Sequence, residues 1–136
     1  MVEHNIHLGM VSHYEKELLF SRSPVSQDLE YLLATPQIIE VIIEAASRML
    51  DPLLPDPYIT IGTKIDFTHE KPTLVMDGRP VRTELRVEEI KGTKILLDVK
   101  CFDGIGQIGF GKYERAIVDK ERLRFATFRR ADQAIL

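Results

Sequence analysis

His69 closes an alternating run, Ile61-Gly62-Thr63-Lys64-Ile65-Asp66-Phe67-Thr68-His69, and a period of two puts its imidazole on the face shared with the apolar side chains of that run. A half-buried imidazole at the mouth of a core suits a general base or nucleophile-activator, because a free histidine titrates near neutral pH. The plainer reading is a core histidine satisfied by a backbone carbonyl. Thr35, ahead of Pro36, reads as a helix N-cap contributing about 1 kcal/mol. The same helix N-terminus offers backbone N–H groups that could stabilise an oxyanion, with the Thr35 hydroxyl beside the developing charge. Glu40 and Glu44 stand at i and i+4, and Arg48 continues their stripe. That stripe is either a solvated face or a carboxylate aimed into a dimer-interface cleft to orient a histidine or a water, and periodicity does not separate the two. Gly62, Gly109 and Gly111 each remove a side chain from a strand, which implies a bend or a close approach to the backbone.

These residues need elements to hold them. His13 to Phe20 reads as a first strand leaving through Ser21 to Pro24, and Ser26 to Ala34 as a short helical turn. Thr35-Pro36, with Thr as N-cap and Pro at the first helical position, predicts a helix carrying Ile38, Ile39, Val41, Ile42, Ile43, Ala45, Ala46, Met49 and Leu50. Its polar residues, Glu40, Glu44, Ser47, Arg48 and Asp51, form one narrow stripe, so most of its circumference is expected to be buried. Pro52, Pro55 and Pro57 end it. Four alternating stretches follow, with Asp77-Gly78, Lys91-Gly92 and Asp103-Gly104 as hairpin turns. In the first, Ile59, Ile61, Thr63, Ile65, Phe67 and His69 are predicted to share one face. The expectation is an α+β domain in which a long central helix is wrapped by a curved antiparallel β-sheet, the order found in hot-dog folds. A single sheet has exposed edges, so pairing into a homodimer, or a tetramer of the same units, is expected.

A chain of 136 residues, 44% apolar and 29% charged, is sized for one domain spanning residues 1–136 with a core of its own, 1–9 being a loose lead-in and 124–136 a basic tail. Cys101 is the single cysteine and lies in an alternating apolar run, which excludes an internal disulfide and points to a reduced core residue. Glu3, His4 and His7 stand where a signal peptide would need positive charge and then an apolar stretch, and no run approaches membrane-spanning length. A cytoplasmic protein without membrane partners is expected. Residues 1–111 hold 11 Lys/Arg against 17 Asp/Glu, whereas 112–136 hold 7 against 4. The acidic total and the lack of aromatics among the basic residues disfavour nucleic acid, although the basic end could meet a nucleotide phosphate. No metal cluster or Gly-rich phosphate loop is present, so neither a metal nor a cofactor is expected.

Leu33-Ala34-Thr35-Pro36, then Glu44-Ala45-Ala46, then Ile61-Gly62-Thr63 with Thr68-His69, and finally Ile108-Gly109-Phe110-Gly111-Lys112-Tyr113-Glu114-Arg115-Ala116 resemble the hot-dog thioesterases of the fluoroacetyl-CoA thioesterase type. The resemblance runs from the first strand to Leu123. It implies a Thr, Glu and His catalytic set around a dimer-interface pocket, with a glycine beside the acyl group. Carried over by position, Thr35 and His69 match the catalytic pair, Gly62 the glycine, and Arg115 the arginine of the closing motif, the last two in substrate binding. The glutamate departs: the matching position is Ile43, so Glu44, about 100° further round the helix, fills the role only with a one-residue adjustment, and Glu40 is the other candidate. Tyr113 stands where many relatives carry histidine.

The resemblance therefore implies hydrolysis of a small acyl-CoA to free acid and CoA, with Thr35, Glu44 and His69 catalytic. The rival is a non-catalytic acyl-CoA or small-ligand binding module on the same fold, favoured by the displaced glutamate. A hot-dog dehydratase or hydratase has no motif here.

Overall fold

A computed structural model describes residues 2–18, 31–74 and 79–134. β1 spans Val11–Glu17, α1 Thr35–Leu50, β2 Tyr58–His69, β3 Pro80–Lys91, β4 Lys94–Phe102, β5 Gln107–Asp119 and α2 Lys120–Ala131, with a single 3₁₀ turn at Asp51–Leu53 after α1. The strands form one antiparallel sheet in the order β1-β3-β4-β5-β2, so β1 and β2 are its edges. The first strand starts two residues earlier than the alternation suggested. The proposed exit at Ser21 to Pro24, most of the turn at Ser26 to Ala34, and the Asp77-Gly78 hairpin lie outside the described residues.

The core is the sheet's inner face against α1. Ile38, Val41, Ile42, Ala45, Ala46 and Leu50 recur at three- and four-residue spacing and are buried, meeting Val81, Leu85 and Val87 of β3, Ile95, Leu97 and Val99 of β4, and Ile108, Tyr113 and Ile117 of β5. Cys101 is buried in this core, and desolvation pushes its thiol up to about 11, so it is an inert thiol at neutral pH. The narrow polar stripe expected on α1 is wider than the sequence suggested: Ile43 is 41% exposed, alongside Glu40 and Arg48.

β2 departs from simple alternation. Its register with β5 shifts between Gly62 and Lys64, where Thr63 is an extra residue on β2. Thr60 and Gly62 therefore share a face with Ile65, Phe67 and His69, while Ile59, Ile61 and Thr63 belong to the other. Thr60 is buried and Thr63 exposed, as that switch requires. A bulge is invisible to a strict period of two, which is why the predicted face fails on its first half and holds on its second.

Candidate active site

The N-terminus of α1 and the C-terminus of β2 are brought together by the segments flanking them. After His69, the N–H groups of Glu70 and Lys71 both donate to the Ile108 carbonyl, at 2.8 and 3.1 Å, turning the chain off the sheet. Thr73 then accepts from the Leu33 N–H at 2.9 Å, and Leu32 bridges Leu74. This short pairing ties the residues entering α1 to those leaving β2. The Thr73 hydroxyl in turn donates to Asp103 Oδ2 at 2.9 Å, while Asp103 Oδ1 accepts from the N–H groups of Ile105 and Gly106 at the β4–β5 turn. Burial pushes the Asp103 carboxyl up, but these donors outweigh it and hold the pKa below its ordinary value. Neither Thr73 nor Asp103 carried a signal in the sequence beyond the Asp-Gly turn.

Thr35 is the first helical residue, not the cap. The cap is Ala34, whose N–H donates to Gln37 Oε1 at 3.3 Å; Pro36 takes the second helical position. Relieved of capping, the Thr35 hydroxyl lies 2.8 Å from His69 Nδ1. His69 is opposite Gly109 on β5. Its other nitrogen, Nε2, is buried and meets no partner among the described residues. A ring with its hydrogen on Nε2 would accept from the Thr35 hydroxyl at Nδ1, whereas one with its hydrogen on Nδ1 would donate to it.

Glu44 is not part of that cluster. Nine residues after Thr35, it stands on the opposite side of α1 and about 13 Å along its axis. Its carboxylate accepts from the Tyr14 hydroxyl and from Lys16 Nζ, both at 2.6 Å, and lies 3.4 Å from Arg48. The bonds from Lys16 and then Tyr14 hold the Glu44 pKa below the usual carboxylate value, and raise those of Tyr14 and Lys16. Arg48 also lies 5.1 Å from the Tyr14 ring centroid. The cluster clamps edge strand β1 onto α1. Glu40 is exposed and has no ion-pair partner among the described residues.

Gly62 lies beneath Tyr113 of the neighbouring strand: a Cβ there would collide with the Tyr113 hydroxyl and press on its ring. Tyr113 is held by Arg115, which is 2% exposed. Arg115 donates to the Tyr113 hydroxyl (2.9 Å), to the Thr60 hydroxyl and carbonyl (2.9 and 2.7 Å) and to Ser47 (2.9 Å). The Thr60 hydroxyl and N–H both donate to Asp51 Oδ1, so a carboxylate balances the buried guanidinium at one remove. Within the chain, Arg115 is a scaffold cation whose donors face protein acceptors. Among the described residues no cluster of three or more His, Cys, Asp or Glu could hold a metal ion, and no helix is long and apolar enough to cross a membrane.

A helix packed on one five-stranded antiparallel sheet, with a Thr–His pair where the helix starts and a strand ends, is a hot-dog-like α+β arrangement. The chain superposes on the crystal structure of a hot-dog-like protein from Thermanaerovibrio acidaminovorans with a TM-score of 0.83 at 22% identity, over 90% of this chain and 91% of that one. It also superposes on a thioesterase superfamily member from Thermus thermophilus with a TM-score of 0.80 at 22% identity, over 95% of each. The sequence pattern of the fluoroacetyl-CoA-specific thioesterase family, FlK, matches residues 16–121, and the chain belongs to that family. It is similar to the fluoroacetyl-CoA thioesterase of Streptantibioticus cattleyicolor, 27% identical over 104 residues that make up 76% of this chain and 73% of that protein. The FlK crystal structure matches with a TM-score of 0.83 at 22% identity, over 92% and 97% of the two chains.

Proposed function

We propose that this protein is a homodimeric thioester hydrolase that converts a small acyl-CoA to free acid and CoA at the Thr35–His69 pair. The observation that carries the reading is the 2.8 Å contact between Thr35 Oγ1 and His69 Nδ1 at a helix N-terminus, a hydroxyl and its base poised in one cluster. Family membership supports it, as do FlK variants crystallised with fluoroacetate and CoA and with acetyl-CoA.

In this reading His69 takes a proton from the Thr35 hydroxyl, or from a water that Thr35 holds, as the oxygen attacks the thioester carbonyl. A C–O bond forms, charge moves to the carbonyl oxygen beside the first turn of α1, and the C–S bond breaks as the imidazolium returns its proton to the leaving sulfur. If Thr35 attacks, water then hydrolyses the acyl ester by the same base. Gly62 leaves room for the Tyr113 ring against β2, and Arg115 holds the Tyr113 hydroxyl. Glu44 is assigned to the β1 clamp, which leaves His69 without an orienting carboxylate among the described residues.

That last point favours a second reading, a binding module that holds acyl-CoA without turning it over. Free-thiol release from a panel of short, branched and aromatic acyl-CoAs, run beside His69→Ala, separates the two. Turnover that collapses in the variant supports the hydrolase; no thiol release with a CoA-dependent rise in melting temperature supports the binder.

A further inference from the structure

The helix α2 is unused by the proposed chemistry and lies almost wholly beyond the family match, which stops at residue 121. Asp119 caps it firmly, accepting from the N–H groups of Glu121 and Arg122 at 2.9 and 3.1 Å, yet none of its residues is buried. It carries Lys120, Arg122, Arg124, Arg129 and Arg130 against Glu121, and none of these five cations has a carboxylate within ion-pair distance among the described residues. Phe125 and Phe128 are 68% and 62% exposed. At 100° per residue these two rings stand about 60° apart, with Arg124 and Arg129 each about 40° outside them. An aromatic pair between guanidinium groups matches a base attached to phosphates: stacking for the one, charge for the other.

Where that surface lies follows from the sheet. Asp119 pairs with Tyr58, and the Lys120 N–H donates to the Pro57 carbonyl at 3.0 Å, so α2 begins at the Tyr58 end of β2. His69 is at the other end, about 36–40 Å away at the strand rise per residue, and a 12-residue helix is about 18 Å long. Along that span α2 falls well short of its own Thr35–His69 pair. β2 is, however, a sheet edge, and a two-fold pairing of two such edges runs them antiparallel. A register centred near the middle of β2 sets the Tyr58 end of one protomer, with its α2, beside the His69 end of the other.

We propose that α2 of each protomer supplies the cations and aromatic surface that bind the nucleotide end of the CoA ester at the partner's Thr35–His69 site. This rests on the thioesterase and dimer readings above. Self-association of two α2 helices is opposed by their like charge, whereas the ester's phosphates complement it.

The test is Arg124→Ala/Arg129→Ala/Arg130→Ala, which alters exposed side chains alone. Losing three charge-assisted phosphate contacts is expected to raise KM for acyl-CoA about tenfold with kcat little changed, and to move KM for the same acyl group on pantetheine by less than about twofold. Equal effects on both substrates, or none, overturn the proposal. Mixed dimers of this variant with His69→Ala chains assign the geometry: the one working site then faces an intact partner helix, so its KM returns to the wild-type value. A KM that stays raised places the helix in its own protomer's site and overturns the proposal. Should no thioester be hydrolysed, calorimetry with the bisphosphorylated adenosine fragment of CoA still decides, with weaker binding to the triple variant in support and equal binding against. Reduced sedimentation of the variant with phosphatidylglycerol vesicles at an unchanged KM gives the helix to a lipid surface instead.

Discussion

Thr35 Oγ1 and His69 Nδ1 meet at 2.8 Å across 34 residues of sequence, joining the first residue of α1 to the last residue of β2. The Thr35 hydroxyl does not cap its own helix, and its hydrogen-bond partner among the described residues is the imidazole.

His69→Ala is expected to lower thioester turnover by about 10²–10⁴-fold, the usual worth of a positioned general base. Thr35 then separates two routes. If its oxygen attacks, Thr35→Ser keeps much of the activity, Thr35→Ala loses it, and mass spectrometry of the wild type trapped by acid shows an acylated Thr35. If Thr35 only holds a water, Thr35→Ala retains part of the activity and no acyl-enzyme accumulates. A His69→Ala chain as active as wild type, with unchanged melting temperature, would end the catalytic reading.

The helix and the sheet were legible because hydrophobic period reports burial directly: Ile38, Ile42 and Ala46 of α1, and Val81, Leu85, Leu97 and Val99 of the strands, all lie where their spacing put them. Thr35 and His69 were legible as types at element ends. What period could not convey was the Thr63 bulge, since one extra residue inverts every face before it. Nor could it convey what Glu44 touches, because Tyr14 and Lys16 come from a strand 28 to 30 residues away. α2 was read as a charged tail; its signal was local, an Asp119 N-cap ahead of strong helix formers, with no apolar stripe to announce it.

Gly62 and Tyr113 give a prediction in stability. Gly62→Ala drives a methyl group into the Tyr113 hydroxyl, and is expected to cost about 1–3 kcal/mol in urea unfolding. Tyr113→Phe removes the atom of closest approach, so Gly62→Ala should cost less in that background. The two changes share a contact and should depart from additivity. Additive costs would mean the ring simply swings away and that glycine is not required there.

Arg115 ties β5 to β2 and α1 through four donor contacts, to Thr60, Ser47 and Tyr113. Arg115→Lys presents a point charge where a planar fork is needed, and Arg115→Met leaves buried acceptors unpaired. Each is expected to destabilise by about 1–3 kcal/mol, read as a lowered melting temperature. If instead either variant keeps its melting temperature and loses affinity for CoA esters alone, the guanidinium acts on substrate rather than as a scaffold.

Glu44 ties its own prediction to pH. Its folded pKa is lowered, by Lys16 first and Tyr14 second, so below the unfolded carboxylate value, about 4.3, the unfolded chain takes up a proton that the folded one refuses. The stabilisation is present above that value and is lost as pH falls through the lower, folded one. Lys16 works in the opposite sense: its pKa is raised, so its share is present below about 10.4 and is lost as pH climbs past the folded value. With 31% of the Glu44 side chain exposed, solvent screening limits the effect, and Glu44→Gln is expected to cost about 1 kcal/mol at pH 7. Urea midpoints of wild type and Glu44→Gln should therefore differ most through the neutral range and converge in strong acid and in strong base. A difference that persists unchanged at pH 3 would show that the carboxylate charge is not what holds β1 to α1. A fall in thioester turnover with no change in stability would move Glu44 from the clamp to the catalytic site.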